Sequence, residues 1–191
     1  MALPCDNAAV SVPRERLVYD ITVESMFSRA LKGRLSSRVR ARVKEAGIDL
    51  DAKLKPAYPR EVWLRAMRIV VEELYEGVPE ERAWFELGER LVVSLRETVM
   101  GSATLNVLKL LGPRRALGRM SQTFRAANNY NQAKLEELGP SHFRLWVNEV
   151  GVSPHFIAGT VVGTLKAAGA ASPRVEIAEF DGQQCTYAIT F

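Results

Sequence analysis

Histidine and cysteine are scarce in this chain of 191 residues, with two of each. Cys5 and Cys185 are too few for a disulfide framework or a cysteine-only zinc site, and each reads as a free thiol. No apolar run approaches the roughly 18 to 20 residues of a membrane span, and no basic flank followed by an apolar segment marks a signal sequence. The expectation is a soluble, cytoplasmic protein with no membrane span. Charge of one sign is not extreme either: a net charge of +4 and a pI of about 9.2 permit anionic partners without arguing for them. There is no phosphate-cradling loop, no nucleophile beside a base and no metal-ligand cluster, so no catalytic residue, metal or cofactor is assigned. What remains is ordinary: 47% hydrophobic and 25% charged residues are enough for a sizeable buried core.

The most informative stretch runs from Ser141 to Gly169. Phe143, Leu145 and Val147 alternate against His142, Arg144, Trp146 and Asn148, which reads as a strand with bulk on both faces, each at least partly covered. The period then changes. Ser153-Pro154 supplies an N-cap and a proline for the first helical turn, and Ile157, Val161, Leu165 and Ala168 follow at helical spacing toward a Gly169 stop. Gly159 and Gly163 lie inside this helix and not before it. They therefore read as close packing against a neighbour, such as a sheet beneath the helix, and not as a phosphate site.

Upstream, residues 1–16 read as a loose leader and residues 17–191 as a single domain. A short strand is predicted around Arg16–Ile21, then helices from Thr22 to about Lys32, over 35–46, from Tyr58-Pro59 past Leu74, and from Glu80 past Leu95. Another follows through Leu105 and Leu111, with Gly112-Pro113 closing it before a short helix from Arg114. The expected helical lobe covers 22–120 and the sheet lobe 121–191. Gln122, Phe124 and Ala126 alternate with their neighbours as a strand would, Asn128-Asn129 suits a turn, and a polar strand runs from Tyr130 toward Leu138. At the C-terminal end Val175, Ile177 and Glu179 alternate, Asp181-Gly182 marks a hairpin turn, and Cys185, Tyr187, Ile189 and Phe191 alternate again. The fold class is α+β: a helical lobe followed by an antiparallel sheet with one packed helix, in the order strand-strand-helix-strand-strand.

Arg34, Arg38, Arg40, Arg42 and Lys44 on helix 35–46 are the strongest nucleic-acid signal. The residues between them are Val and Ala, without aromatic or amide base readers, so a solvated helix face is the better reading and nucleic acid is disfavoured.

Several runs together resemble a family of uncharacterised proteins expanded in myxobacteria: Gly33-Arg-Leu through Asp51, Pro56-Ala-Tyr-Pro-Arg-Glu-Val-Trp63, Leu110-Leu-Gly-Pro-Arg-Arg-Ala-Leu117, Phe124-Arg-Ala-Ala-Asn-Asn-Tyr130 and Leu145-Trp-Val-Asn-Glu-Val-Gly151. The likeness spans nearly the whole chain from about residue 17 and brings no activity with it. The C-terminal order of strands, a Gly-x-x-x-Gly helix, an acidic strand and a hairpin containing Cys185 resembles more distantly the superfamily of heme nitric-oxide-binding domains, 4-vinyl reductase domains and TRAPP vesicle-tethering subunits. That resemblance implies a small or lipidic ligand held between a helical lobe and an antiparallel sheet. Its heme-binding members ligate iron through a histidine on a helix of the helical lobe, whereas this chain has no histidine before His142. The reductase pattern has more than one cysteine near the C-terminal hairpin, against Cys185 alone. The acyl-carrying cysteine of the tethering subunits would lie on the helical lobe, where this chain has none.

Candidate residues follow from these readings. Trp63, Trp146 and Asn148 would line an inter-lobe cavity, with Asn128 and His155 as further polar contacts. Turn formation is the plainer use of Asn128 and Asn129, and a helix-start role the plainer use of His155. The leading function is a non-catalytic small-molecule or lipid-binding module of sensory or regulatory type. The alternative is a protein-interaction or homodimerisation module with a solid core. Last comes an enzyme using His155 and Glu149.

Overall fold

The computed structural model describes residues 15–94 and 99–191, with side chains from 106 onward in the second span. Cys5, nearly all of the expected leader, and the expected helical positions Leu95 and Leu105 lie outside the described residues or side chains.

The chain opens with β1 (Leu17–Tyr19), which pairs antiparallel with β2 (Ala57–Pro59) in a two-stranded sheet. Sequence reading finds β1 but not β2, whose three residues end on a proline that also heads the next helix. Between them run α1 (Asp20–Glu24), which continues into a π-helical turn over Ser25–Ala30, and α2 (Ser37–Glu45). The Ser36 hydroxyl caps α2 by accepting from the Val39 amide at 3.2 Å, and Val39 and Val43 face inward. The helix α3 (Arg60–Leu74) buries Trp63, Leu64, Ala66, Met67 and Val70, a stripe at 3.6-residue period. It is followed by α4 (Glu80–Ser94), with Glu80 and Glu81 at the positive end of its dipole, and by α5 (Val99–Gly118). At Gly112 α5 is broken, with φ at 74°, a left-handed conformation that suits glycine, and Pro113 restarts the helix.

One element departs from expectation. Residues 121–127 form no strand; Met120–Ala127 is a helix, α6. Leu117, Met120 and Phe124, spaced three and four apart, are all buried, so helical spacing across the α5–α6 junction outweighs the local alternation of Gln122, Phe124 and Ala126. The helical part thus extends to Ala127, and the main sheet begins at Ala133.

That sheet contains β3 (Ala133–Gly139), β4 (His142–Val147), β5 (Arg174–Phe180) and β6 (Cys185–Thr190) in the order β3-β4-β6-β5, antiparallel throughout. Phe143, Leu145 and Val147 stand opposite Ile189, Tyr187 and Cys185, and all six are buried on one face. His142 and Arg144 are exposed on the other face, with Trp146 half-buried beside them, so only one face is fully covered. Between β4 and β5 lies α7 (Pro154–Ala167), started as expected by Ser153, whose hydroxyl accepts from the His155 amide, and by Pro154. The expected inward residues Ile157, Val161, Leu165 and Ala168 are buried.

The glycines of α7 do serve close packing, but the neighbour is α4 and not the sheet. A Cβ on Gly159 would run into the carbonyl oxygen of Phe85, and one on Gly88 of α4 into the carbonyl oxygen of Phe156. A Cβ on Gly163 would stand 3.0 Å from Val92 Cβ. Two helices thus meet backbone to backbone through reciprocal glycines, leaving the remaining faces of α7 for the sheet and α5. Gly159→Ala should cost roughly 3 kcal/mol or more in urea unfolding, because backbone atoms and not a flexible side chain must move. By contrast, Gly118→Ala, where a Cβ meets nothing within 4 Å, should be neutral or stabilising by up to about 1 kcal/mol.

Candidate functional site

Helices and sheet contribute to one hydrophobic core. Leu117, Met120 and Phe124 from the α5–α6 region and Phe143, Leu145, Tyr187 and Ile189 from the sheet belong to one core and are almost wholly buried. At its centre the Tyr187 hydroxyl donates to the carbonyl of Pro154 at 2.9 Å, tying β6 to the start of α7. Burial pushes the Tyr187 phenol and the Cys185 thiol upward, so both stay protonated and Cys185 is no nucleophile at neutral pH.

The predicted cavity residues are not brought together. Trp63 is buried edge-to-face against Phe27, with ring centroids 6.0 Å apart, so its ring packs on the π-helical turn. Trp146 lies on the sheet face opposite Phe143 and Leu145, where its indole donates to Gln184 at 3.0 Å and the Lys134 ammonium sits 5.1 Å from its ring centroid. Placing Trp146 between the lobes is therefore corrected: with Phe143, Leu145 and Val147 turned inward, the strand's period of two turns Trp146 outward.

Asn128 and Asn148 instead belong to a polar junction where β1, the α6–β3 loop and the β4–α7 loop meet. The Asn128 side-chain oxygen accepts from the amides of Tyr130 and Asn131, and its amide donates to Asn131 Oδ1 at 2.8 Å. Asn131 in turn donates to the carbonyl of Glu149. Asn148 accepts from the Gln132 amide at 2.6 Å and donates to the Tyr130 carbonyl at 3.0 Å. Asn129 accepts from the Leu17 amide at 2.8 Å and donates to the Glu15 carbonyl at 2.9 Å. Each of these amides is occupied at both ends, which fits turn and loop fastening.

Below them the carboxylate of Glu149 is buried and ion-paired with two arginines, Arg16 at 3.0 Å and Arg60 through its Nε. Sequence reading does not find these partners, because nothing local in Asn148-Glu149-Val150 points to residues at the start of the chain and of α3. His155 stands elsewhere, half-buried, its Nε2 3.8 Å from Glu81 Oε2 and its Nδ1 3.5 Å from the Ser153 hydroxyl. His155 and Glu149 thus have separate partners, and the geometry assembles no acid–base pair from them. Among the described residues no group of three His, Cys, Asp or Glu side chains could hold a metal. The cations of α2 are likewise engaged: Arg38 and Arg42 with Glu73, Arg42 also with Glu72, Arg40 with Asp51, and Lys44 with Asp49.

Among the described residues, concavities open on the surface in at least two places. One, of about 540 Å³, lies between the end of α5, the turn into α6 and β3. The other, of about 200 Å³, lies along the α4–α7 contact near Glu89 and Lys166, which pair at 2.6 Å. No described helix is long and apolar enough to cross a membrane.

A model of the family described as Protein of unknown function (DUF2378) matches residues 16–191. Comparison with curated proteins gives no match. Solved structures of similar fold include H-NOX proteins. One, from work on heme distortion in the H-NOX family, is 15% identical with a TM-score of 0.65 over 90% of this chain and 93% of that one. The Fe(II) unliganded H-NOX protein from K. algicida is 12% identical, with a TM-score of 0.62 over 89% and 94%. An oxygen-binding H-NOX domain related to soluble guanylate cyclases is 16% identical, with a TM-score of 0.62 over 90% and 93%. These likenesses show the fold. The residues of this chain do not fit a heme held by histidine in the interior: His142 is exposed on the outer sheet face and His155 stands beside Glu81.

Two predictions test the junction. Glu149→Gln should cost about 2 to 4 kcal/mol in urea unfolding, since it removes the buried counter-charge of Arg16 and Arg60, and the value should sit toward the lower figure because Arg16 is half exposed and Arg60 keeps its pair with Glu61. Burial pushes the Tyr130 phenol up to about 12 against an ordinary 10.0. Its contribution to stability is fully present below pH 10 and is lost as pH rises toward 12, because the unfolded chain releases a proton that the folded chain keeps. Urea midpoints measured up that range should fall for the wild type and fall less for Tyr130→Phe.

Proposed function

The chain belongs to the family of proteins of unknown function DUF2378, and on that premise we propose that it is a non-catalytic, ligand-responsive module of sensory or regulatory type. The observation that carries this reading is the match of its fold, over about nine-tenths of both chains, to H-NOX domains, one of them oxygen-binding. The chemistry of the site supports it: Glu149 is consumed by arginines, Cys185 is a buried thiol and His155 has no buried acid beside it. In this reading residues 17–191 act as one cytoplasmic unit, and the ligand is small and apolar or lipidic. Histidine-held heme is not that ligand. A ligand in the interior would be held among core side chains such as Leu117, Met120, Phe143 and Tyr187, so binding would be coupled to their rearrangement.

A second reading, a protein-interaction or homodimerisation module, is favoured by one observation: Leu110 on α5 is 87% exposed.

Native beside denaturing mass spectrometry of the purified protein separates them. The first reading expects a small-molecule adduct that dissociates on denaturation; the second expects a ligand-free oligomer or captured protein. Addition of hemin should give no stoichiometric Soret band, and a saturable band would overturn the exclusion of histidine-held heme.

A further inference from the structure

The end of α5 carries a cluster of charge that the fold leaves unbalanced. Leu111, Arg114, Arg115, Gly118, Arg119 and Glu137 line the groove of about 540 Å³ between α5, the turn into α6 and the edge strand β3. Its volume falls within the roughly 300 to 1,000 Å³ of small-ligand sites. Across the groove Arg114 donates to both carboxylate oxygens of Glu137, Nε at 3.1 Å and Nη2 at 2.5 Å. This pairing holds the Glu137 carboxyl below its usual range and leaves the pair without net charge.

Arg115 and Arg119 are different. Both are exposed, and among the described residues neither has an ion-pair partner, whereas Arg38, Arg40, Arg42 and Lys44 of α2 each meet a carboxylate. Arg115 lies in the last turn of α5 and Arg119 in the turn into α6, both on the lining of the same groove. Three guanidiniums against one carboxylate leave two positive charges at one concavity. Leu111 gives it an apolar wall, and at Gly118 nothing lies within 4 Å of where a Cβ would stand.

We propose that this groove binds a phosphate-bearing ligand, with Arg115 and Arg119 donating to the phosphate oxygens and Leu111 packing on the ligand's apolar part. A phosphate monoester carries about −1.5 to −2 charges near pH 7, which matches the two uncompensated guanidiniums, and their planar forks suit phosphate oxygens. The same chemistry is offered by a soluble phosphate ester and by a lipid headgroup. This inference goes beyond the reading above, because it places a ligand outside the interior and does not depend on the interior opening.

Two binding measurements at low salt test it. In one, glycerol 3-phosphate is titrated into the protein by calorimetry; in the other, the protein is floated with phosphatidylcholine vesicles with and without phosphatidic acid. Each is repeated with the double variant Arg115→Ala/Arg119→Ala and with Arg38→Ala, an exposed cation paired with Glu73. Circular dichroism melts establish that the variants are folded. Saturable binding is expected in at least one arm, weakened roughly tenfold or more in the double variant and unchanged in Arg38→Ala, as for loss of charge-assisted hydrogen bonds. Binding of glycerol 3-phosphate assigns a soluble ester, and binding to phosphatidic acid vesicles alone assigns a headgroup. Absence of binding in both arms, or binding that the double variant leaves intact, overturns the proposal.

Discussion

The backbone-to-backbone contact of α4 and α7 is the constraint on which the rest of the structure depends. Gly88 and Gly159 each leave room for the other helix's carbonyl oxygen, at Phe156 and Phe85, and Gly163 leaves room for Val92. With one side of α7 seated directly on α4, its remaining faces are free for the sheet and α5. Its start is then pinned to the sheet by the hydrogen bond from Tyr187 to the Pro154 carbonyl. Larger side chains at those glycines would hold the helices apart and disturb the core to which both contribute.

The break at Gly112 divides α5, and the part after it carries both Leu117 of the core and Arg114, which pairs with Glu137 of β3. That short length of helix therefore lies between the interior and the outer groove.

Much of this architecture is legible in the sequence where the signal is local. Ser153-Pro154 starts α7, Gly112-Pro113 breaks α5, and the alternation from Val175 to Phe191 gives the last hairpin, because caps, breakers and strand periodicity act over a few residues. Long-range facts are not legible in this way. Gly159 announces a close neighbour without saying that α4 supplies it. Trp146 reads as a cavity residue because a strand with bulk on both faces does not say which face meets the helices, and that follows only from the register that turns Phe143 inward. For α6 the helical spacing of Leu117, Met120 and Phe124 was present, masked by the alternation around Gln122. The pairing of Glu149 with Arg16 and Arg60 leaves no local trace, since its partners lie far away along the chain.

The fastening of β1 has a consequence for the order of folding. Leu17 bonds to Asn129 across 112 residues, and Arg16 reaches Glu149 farther still. Closing loops of that length costs chain entropy before any contact returns it, so such pairings form late. The helices between them can gather around local contacts first. Docking of the first strand then becomes the closing step of assembly, and it cannot be completed until the asparagine loop and the end of β4 are already in place.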